Sequence, residues 1–369
     1  MGLFSRLLLV GIAVAIGVFI SNQPGDGKGH IRLFTAMKYE TLGEKGLLTA
    51  AEVVKGISLN SKTVIVTGGN SGIGKEAVKA FASVGADVVL AARSLERGNS
   101  AKKEIEKDLA GNSGTGKIEV MQLDLADLKT VKEFAKIFSS KYKKLHYLVN
   151  NAGIMVTPKY TPTANGVEQQ FGINHLGHFY LTKLLLPTLK DTAKEGSRII
   201  NLSSAAHTFT HPGYDFSKVP LTKNEYEPTL AYGISKASNI LFTLELRKRL
   251  AGSGVIAVSG HPGVIHTNLG YEEPLVYFMF AYLYPAVEKV LGRKFTKTIP
   301  QGASTTMCMA LHDVKYDKSS WTDGLYWADC EPFSNEKFPG SVNEEVVYNE
   351  KQAKSLWDRS EAILESTSI

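Results

Sequence analysis

The sequence predicts an α/β chain built as one doubly wound parallel sheet with helices on both faces. From position 61 onward, short β-branched runs alternate with amphipathic helical patterns, and a glycine-rich turn separates the first run from the first helix. The expected strands are 63–66, 87–91, 117–121, 145–149, 198–202 and 255–259, with a last one at 324–327 and a closing helix near 350–364. No repeat and no second domain interrupts this alternation. The 369 residues are 43% hydrophobic and 21% charged, a globular usage that excludes a disordered or collagen-like chain. Lys plus Arg number 42 against 36 acidic residues, a net charge of +6. That excess is too small to call for nucleic acid, yet it suits an anionic cofactor or a membrane surface. Cys308 and Cys330 cannot build a disulfide framework, so the fold rests on its hydrophobic core. Trp321, Trp327 and Trp357 all lie late in the chain, which excludes a tryptophan-bearing adaptor module at the N-terminus.

The N-terminus departs from this average. Residues 7–20 (LLLVGIAVAIGVFI) carry no polar side chain, and with Leu3 and Phe4 the stretch reaches about 27 Å as a helix, slightly short of a bilayer core. The run ends in Val18, Phe19 and Ile20 without a small-residue cleavage pattern, so residues 1–20 are expected to be an uncleaved membrane anchor; a cleaved signal peptide and a buried helix are the alternatives. Arg6 precedes the run and Lys28, Arg32 and Lys38 follow it, which places the C-terminal bulk weakly in the cytosol. Arg6 also fills the position where a myristoylation signal needs Ser or Thr. Residues 21–60 read as a breaker-rich linker and an N-terminal extension that packs loosely, and residues 61–369 as the main domain.

Directly after the first strand comes Thr67-Gly68-Gly69-Asn70-Ser71-Gly72-Ile73-Gly74, which opens a helix. Glycines at Gly68, Gly72 and Gly74 allow a tight turn and bring backbone N–H groups and a helix N-terminus to a pyrophosphate. A nicotinamide site usually ends its second strand with a carboxylate for the adenosine ribose. Here the stretch is Leu90-Ala91-Ala92-Arg93-Ser94, so a guanidinium stands where the acid is missing, which suits the 2′-phosphate of NADP. Arg97 and Lys75 are the alternative cations. Asp124, followed by Leu125, ends the third strand and is placed to accept from the adenine amino group or to cap a helix.

Tyr232 and Lys236 are four apart on one helix face. A tyrosine hydroxyl with a pKa near ~10 carries protons poorly at neutral pH, and a thousandfold increase in its acidity needs roughly 4 kcal/mol. An ammonium at ~4 Å supplies about that much at an effective dielectric near ~20. Alone, however, Tyr-x-x-x-Lys is a common surface pair.

Further segments follow in one order: Asn150-Asn151-Ala152-Gly153, Asn174 within Phe171-Gly172-Ile173-Asn174-His175-Leu176-Gly177-His178-Phe179, Asn201-Leu202-Ser203-Ser204, and His261-Pro262-Gly263. Together with the glycine-rich turn and Tyr232/Lys236, they resemble the short-chain dehydrogenase/reductase family over roughly residues 61–364. Asn-His-Leu-Gly-His, Lys297-Thr298 before Gln301-Gly302-Ala303, and Trp327-Ala328-Asp329-Cys330 resemble its retinol dehydrogenase and WW-domain oxidoreductase branch, although this chain has no WW modules. The resemblance implies a Rossmann-type catalytic domain that interconverts an alcohol and a carbonyl. It implies that Tyr232 exchanges a proton with the substrate oxygen and that Ser204 holds this oxygen, with Ser203 the competing serine. Lys236 would lower the tyrosine pKa and bind the nicotinamide ribose, and Asn174 would hold a relay water. The cofactor contacts it implies are Gly68, Asn70, Ser71, Gly72, Ile73, Gly74, Arg93, Asp124, Leu125, Asn151, Ala152, Gly153, Tyr232, Lys236, Pro262, Gly263, Val264 and Thr267.

His175 and His178 have helical spacing but no Cys or acidic cluster beside them, so they read as structural and no metal is expected. The sequon at Asn201 falls on an expected buried strand. Residues 274–287 (PLVYFMFAYLYPAV) are apolar all round and are expected to form a substrate lid; a core helix is the alternative. The expectation is thus an NADP(H)-dependent enzyme for a lipophilic substrate (retinoid, steroid, polyprenoid or fatty aldehyde), anchored in the endoplasmic reticulum or another intracellular membrane and facing the cytosol. A lumenal or secreted form, a homo-oligomer and a noncatalytic cofactor-binding scaffold are also compatible with the sequence.

Overall fold

The computed structural model describes residues 48–211, 213–265, 269, 282, 285, 288–289, 296–312, 324–333 and 342–367. The expected anchor at 1–20, and the lid at 274–287 apart from Tyr282 and Pro285, lie outside them. Among the described residues no helix is long and apolar enough to cross a membrane.

The first three strands, β1 (Thr63–Thr67), β2 (Asp87–Ala92) and β3 (Ile118–Gln122), step outward in one direction. Next come β4 (Tyr147–Asn150), β5 (Ser197–Leu202) and β6 (Val255–Gly260), which step outward in the other. Two short strands, β7 (Val264–Ile265) and β8 (Thr296–Lys297), pair in parallel as a separate ribbon. The main sheet is completed by β9 (Tyr326–Ala328), parallel to β6, and β10 (Glu331–Pro332), antiparallel to β9. Its order is β10-β9-β6-β5-β4-β1-β2-β3, so the winding reverses between β1 and β4. In open α/β sheets that switch point creates the ligand crevice, at the carboxyl ends of the strands.

Each strand feeds both faces because alternate side chains point opposite ways. Ile65, Val89, Leu148 and Ile199 enter one core, whereas Val64, Val66, Leu90, Val149 and Ile200 enter the other. The first core is closed by α4 (Leu128–Lys141), α6 (Gly177–Asp191), α7 (Pro228–Arg249) and α10 (Glu350–Ser366). Phe179, Phe242 and Trp357 make its aromatic contacts, with ring centroids 4.9–5.9 Å apart. The second core lies under α2 (Gly72–Ser83), α3 (Leu95–Asp108) and α8 (Ile299–Leu311). Short helices α1 (Ala50–Val53), α5 (Gln169–Phe171) and α9 (Glu344–Val347) complete the set.

Residues 48–60 were expected to pack loosely, but Ala50, Val54 and Leu59 are buried in the second core. The entry is fixed by a capping box in which Thr49 and Glu52 satisfy each other's backbone N–H. The two cysteines, which sequence reasoning left apart, form a disulfide with a Cα–Cα distance of 5.2 Å that ties α8 to the β9–β10 turn. In that turn Asp329 and Cys330 have φ values of 49° and 64°, the left-handed pair a two-residue hairpin needs.

Candidate active site

At the switch point the loop after β1 and the loop after β4 meet. A methyl group on Gly74 would stand 2.4 Å from the Gly68 carbonyl oxygen and 2.5 Å from the Asn151 amide nitrogen, so only glycine lets α2 start here. Asn151 Nδ2 donates to the Thr67 carbonyl at 2.8 Å, and the Thr67 hydroxyl accepts from the backbone N–H groups of Asn151 and Ala152 at 2.9 Å each. The result is a cradle lined by Gly68, Asn70, Ser71, Gly72, Ile73 and Gly74. Its N-cap, Ser71, makes no side-chain capping bond, which leaves the first N–H groups of α2 directed outward.

Arg93 follows β2, is exposed, and its guanidinium has no partner among the described residues. Lys75, by contrast, is paired with Glu104. Asp124 uses one carboxylate oxygen to accept from Ala126 N–H at 2.9 Å, an Asx turn that leaves the other oxygen available. Leu125 beside it is buried. Pro262, Gly263 and Val264 follow the carboxyl end of β6, with Gly263, packed against Lys297, donating its N–H to His261 Nδ1 at 3.1 Å. Thr267 lies outside the described residues.

The candidate acid–base side chains gather on the other side of this crevice. Tyr232 and Lys236 lie on α7, with Lys236 Nζ 5.7 Å from the centre of the Tyr232 ring and donating to Leu202 O at 3.3 Å. A methyl group on Gly153 would lie 3.1 Å from Asn174 Oδ1 and 3.5 Å from Lys236 Nζ, so three segments meet at that glycine. Asn174 sits in a π-helical turn, Gly172–Leu176, between α5 and α6. Its amide clasps the loop after β4, accepting from Ile154 N–H at 2.9 Å and donating to Ile154 O at 2.9 Å and to Ser235 Oγ at 2.9 Å.

The two serines diverge. Ser203 Oγ donates to the Lys236 carbonyl at 2.8 Å and is buried, whereas Ser204, two residues past β5, is half-buried; its Oγ accepts from Ala206 N–H at 3.2 Å and acts on the Tyr232 hydroxyl. Burial pushes the Tyr232 hydroxyl up to about 12, and the Ser204 side chain opposes the rise. Burial also pushes Lys236 down to about 8. Burial thus acts on the Tyr232 hydroxyl against the lowering expected from Lys236, whose ammonium is turned toward Leu202 O.

His175 and His178 face different ways. His175 Nε2 meets Ser360 Oγ at 3.0 Å among Phe171, Phe179 and Phe242, and no group of three candidate metal ligands occurs among the described residues. Asn201 is buried, its amide bonded to Asn150 and Thr243. Sequence reasoning missed Ser235, which receives Asn174, although its place three residues after Tyr232 on α7 was a signal.

Comparison with known proteins agrees with this geometry. A family model described as short chain dehydrogenase matches residues 62–274. The chain is 40% identical over 314 residues to retinol dehydrogenase 11 of Mus musculus, covering 85% of this chain and 90% of that one. It is 36% identical over 327 residues to the WW domain-containing oxidoreductase of Homo sapiens, covering 87% and 72%. A solved structure of a putative uncharacterized protein from Mycobacterium paratuberculosis superposes with a TM-score of 0.62 at 30% identity, covering 85% of this chain and 97% of that one. With a nucleotide cradle at the sheet's switch point and Tyr232, Lys236, Ser204 and Asn174 gathered across from it, the chain belongs to the short chain dehydrogenase family.

Proposed function

We propose that this protein is an NADP(H)-dependent oxidoreductase that interconverts an alcohol and a carbonyl on a lipophilic substrate. The observation that carries the reading is the convergence of Tyr232, Lys236, Asn174 and Ser204 on the crevice beside Gly153. Bound in this crevice, a nicotinamide dinucleotide supplies or accepts the hydride. The cradle fits it: a Cβ at Gly74 would fill the space, and the open N-terminus of α2 suits a pyrophosphate. Gly68, Asn70, Ser71, Gly72, Ile73 and Gly74 hold the phosphates. Asp124, Leu125, Asn151, Ala152 and Gly153 border the adenosine, and Pro262, Gly263, Val264 and Thr267 border the nicotinamide. Arg93 offers a planar cation without a partner among the described residues to a 2′-phosphate, which supports NADP over NAD.

Tyr232, protonated at neutral pH, donates its hydroxyl proton to the oxygen of a carbonyl during reduction. Ser204 donates a hydrogen bond to that same oxygen and so fixes where charge develops. Lys236 places positive charge beside Tyr232 and reaches the nicotinamide ribose, while Asn174 holds the loop at Ile154 that closes this side of the crevice. The names of the relatives, retinol dehydrogenase among them, support a retinoid-like or comparable lipophilic substrate. Residues 1–20 are the proposed anchor in the membrane where such a substrate dissolves.

Two features bear on which side of the membrane it faces. The charges around residues 7–20 favour the cytosol, whereas the Cys308–Cys330 disulfide is at home in an oxidising lumen. Protease protection of intact microsomes separates the two. The test of function is purified full-length protein with NADPH or NADH against a panel of all-trans-retinal, steroid ketones, polyprenals and fatty aldehydes. Cofactor-dependent reduction of at least one class is expected, with NADPH preferred. No turnover on any of them with either cofactor would contradict the reading.

A further inference from the structure

The His178 ring spans two parts of the site. Its Nδ1 lies 3.0 Å from the backbone carbonyl of Asn174, and its Nε2 lies 2.8 Å from the hydroxyl of Thr67 at the end of β1. Counting donors fixes every proton along this path. The Thr67 hydroxyl has two lone pairs and one hydrogen. Both lone pairs are taken by the N–H groups of Asn151 and Ala152. Its hydrogen therefore points outward, and His178 Nε2 at 2.8 Å is a closer acceptor than Val149 O at 3.3 Å. At the other end the Asn174 carbonyl only accepts, so Nδ1 must carry the ring hydrogen. The opposite tautomer would set a bare Nδ1 against a carbonyl oxygen and a third N–H against a filled hydroxyl. Burial pushes His178 down to about 4, in keeping with a neutral ring that has a single satisfied tautomer.

We propose that His178 is a positioning residue: as its Nδ1–H tautomer it fixes the backbone of Asn174 at a set distance from the end of β1, where the cofactor loop begins. The proposal rests on the role given to Asn174 under the proposed function. The amide of Asn174 is already engaged by Ile154 and Ser235, and its carbonyl lies in the π-helical turn, where the helical bonding register is shifted. Removing the ring releases that turn, while Thr67 continues to hold the N–H groups of Asn151 and Ala152. Loss of His178 should thus disturb the acid–base residues more than the cofactor cradle.

The experiment has two readouts on the full-length protein. In the first, nitrogen-15 histidine NMR on the wild type, with the His178→Gln spectrum identifying its signal among the nine histidines, should show a protonated Nδ1 and a bare Nε2. In the second, NADPH-dependent turnover of an aldehyde that the wild type reduces is compared in His178→Leu and His178→Gln. His178→Leu should lose about tenfold or more in kcat with KM for NADPH changed by less than about twofold, since small misplacements of a catalytic group are costly. His178→Gln, whose amide can both donate and accept, should recover most of the loss. A protonated Nε2 in the wild type, an unchanged kcat in His178→Leu, or a glutamine variant no better than leucine would overturn the proposal. If His178→Leu does not fold, the wild-type tautomer and the glutamine variant still decide it. A wild type without turnover would count against the proposed function, whereas the NMR result would still test the tautomer.

Discussion

Tyr232 holds its proton up to about pH 12 and Lys236 holds its own only to about 8, both because burial disfavours the charged form. In the reductive direction Tyr232 is therefore a ready acid throughout the neutral range, and the group that titrates first is the lysine. Because the Lys236 pKa is lowered, its ammonium is complete below about pH 8 and is lost above it. Reduction measured as kcat/KM should stay level toward neutral pH and fall as pH rises through about 8, reporting the free enzyme. A profile that rises through 8 would mean that the charged lysine is not needed. The paired serines give a second expectation. Ser204→Ala should lose about 10²–10³ in kcat, as oxyanion donors do, whereas Ser203→Ala should cost only about 1 kcal/mol of stability through its lost bond to the Lys236 carbonyl. Activity and urea unfolding of the two variants check this. The choice between the serines was not legible from residue type, since both are Ser at the end of one strand; their alternating directions along the backbone separate them. Ser235 and the Thr67 partner of His178 were hidden for another reason: they bond across 61 and 111 positions, and such pairings leave no periodic trace.

Among the elements, the cradle and the C-terminal hairpin give the sharpest expectations. Gly74→Ala would drive a methyl into the Gly68 carbonyl, so cofactor affinity should fall at least tenfold, about 1.4 kcal/mol, as read by quenching of protein fluorescence on titration with NADPH. An unchanged Kd would mean that the loop opens freely. Cys308→Ser removes the link between α8 and the β9–β10 turn and should cost about 3 kcal/mol, the order expected for closing a loop of this length. Thermal unfolding with and without reductant checks it: the wild type should lose stability on reduction and the variant should not. The six long parallel strands were legible to within one or two residues; the inner ones, above all β1 and β2, are buried on both faces and read as nearly continuous apolar runs. β7, β8 and β10 were not, since two residues have no period. The hairpin turn was equally silent: Asp329 and Cys330 adopt the left-handed conformations that Asn-Gly ordinarily announces.

For the molecule as a whole, the reversal of winding between β1 and β4 brings together loops that are far apart in sequence, and this is why ordered motifs revealed the site before any contact was known. Composition alone would have yielded only a globular chain. Cofactor choice belongs to this scale, because the proposed 2′-phosphate contact, Arg93, follows β2, away from Tyr232 and Lys236 on α7. Arg93→Asp should shift the ratio of kcat/KM from NADPH toward NADH, and an unchanged ratio would move the discrimination to Arg97. The central claim is proton exchange by Tyr232 in a hydride-transfer crevice, and Tyr232→Phe tests it most directly, since the ring stays and only the hydroxyl is lost. Turnover of NADPH with the best aldehyde of the panel, measured beside NADPH affinity, should fall to near zero while Kd changes little. A variant that turns over as fast as the wild type would contradict the account.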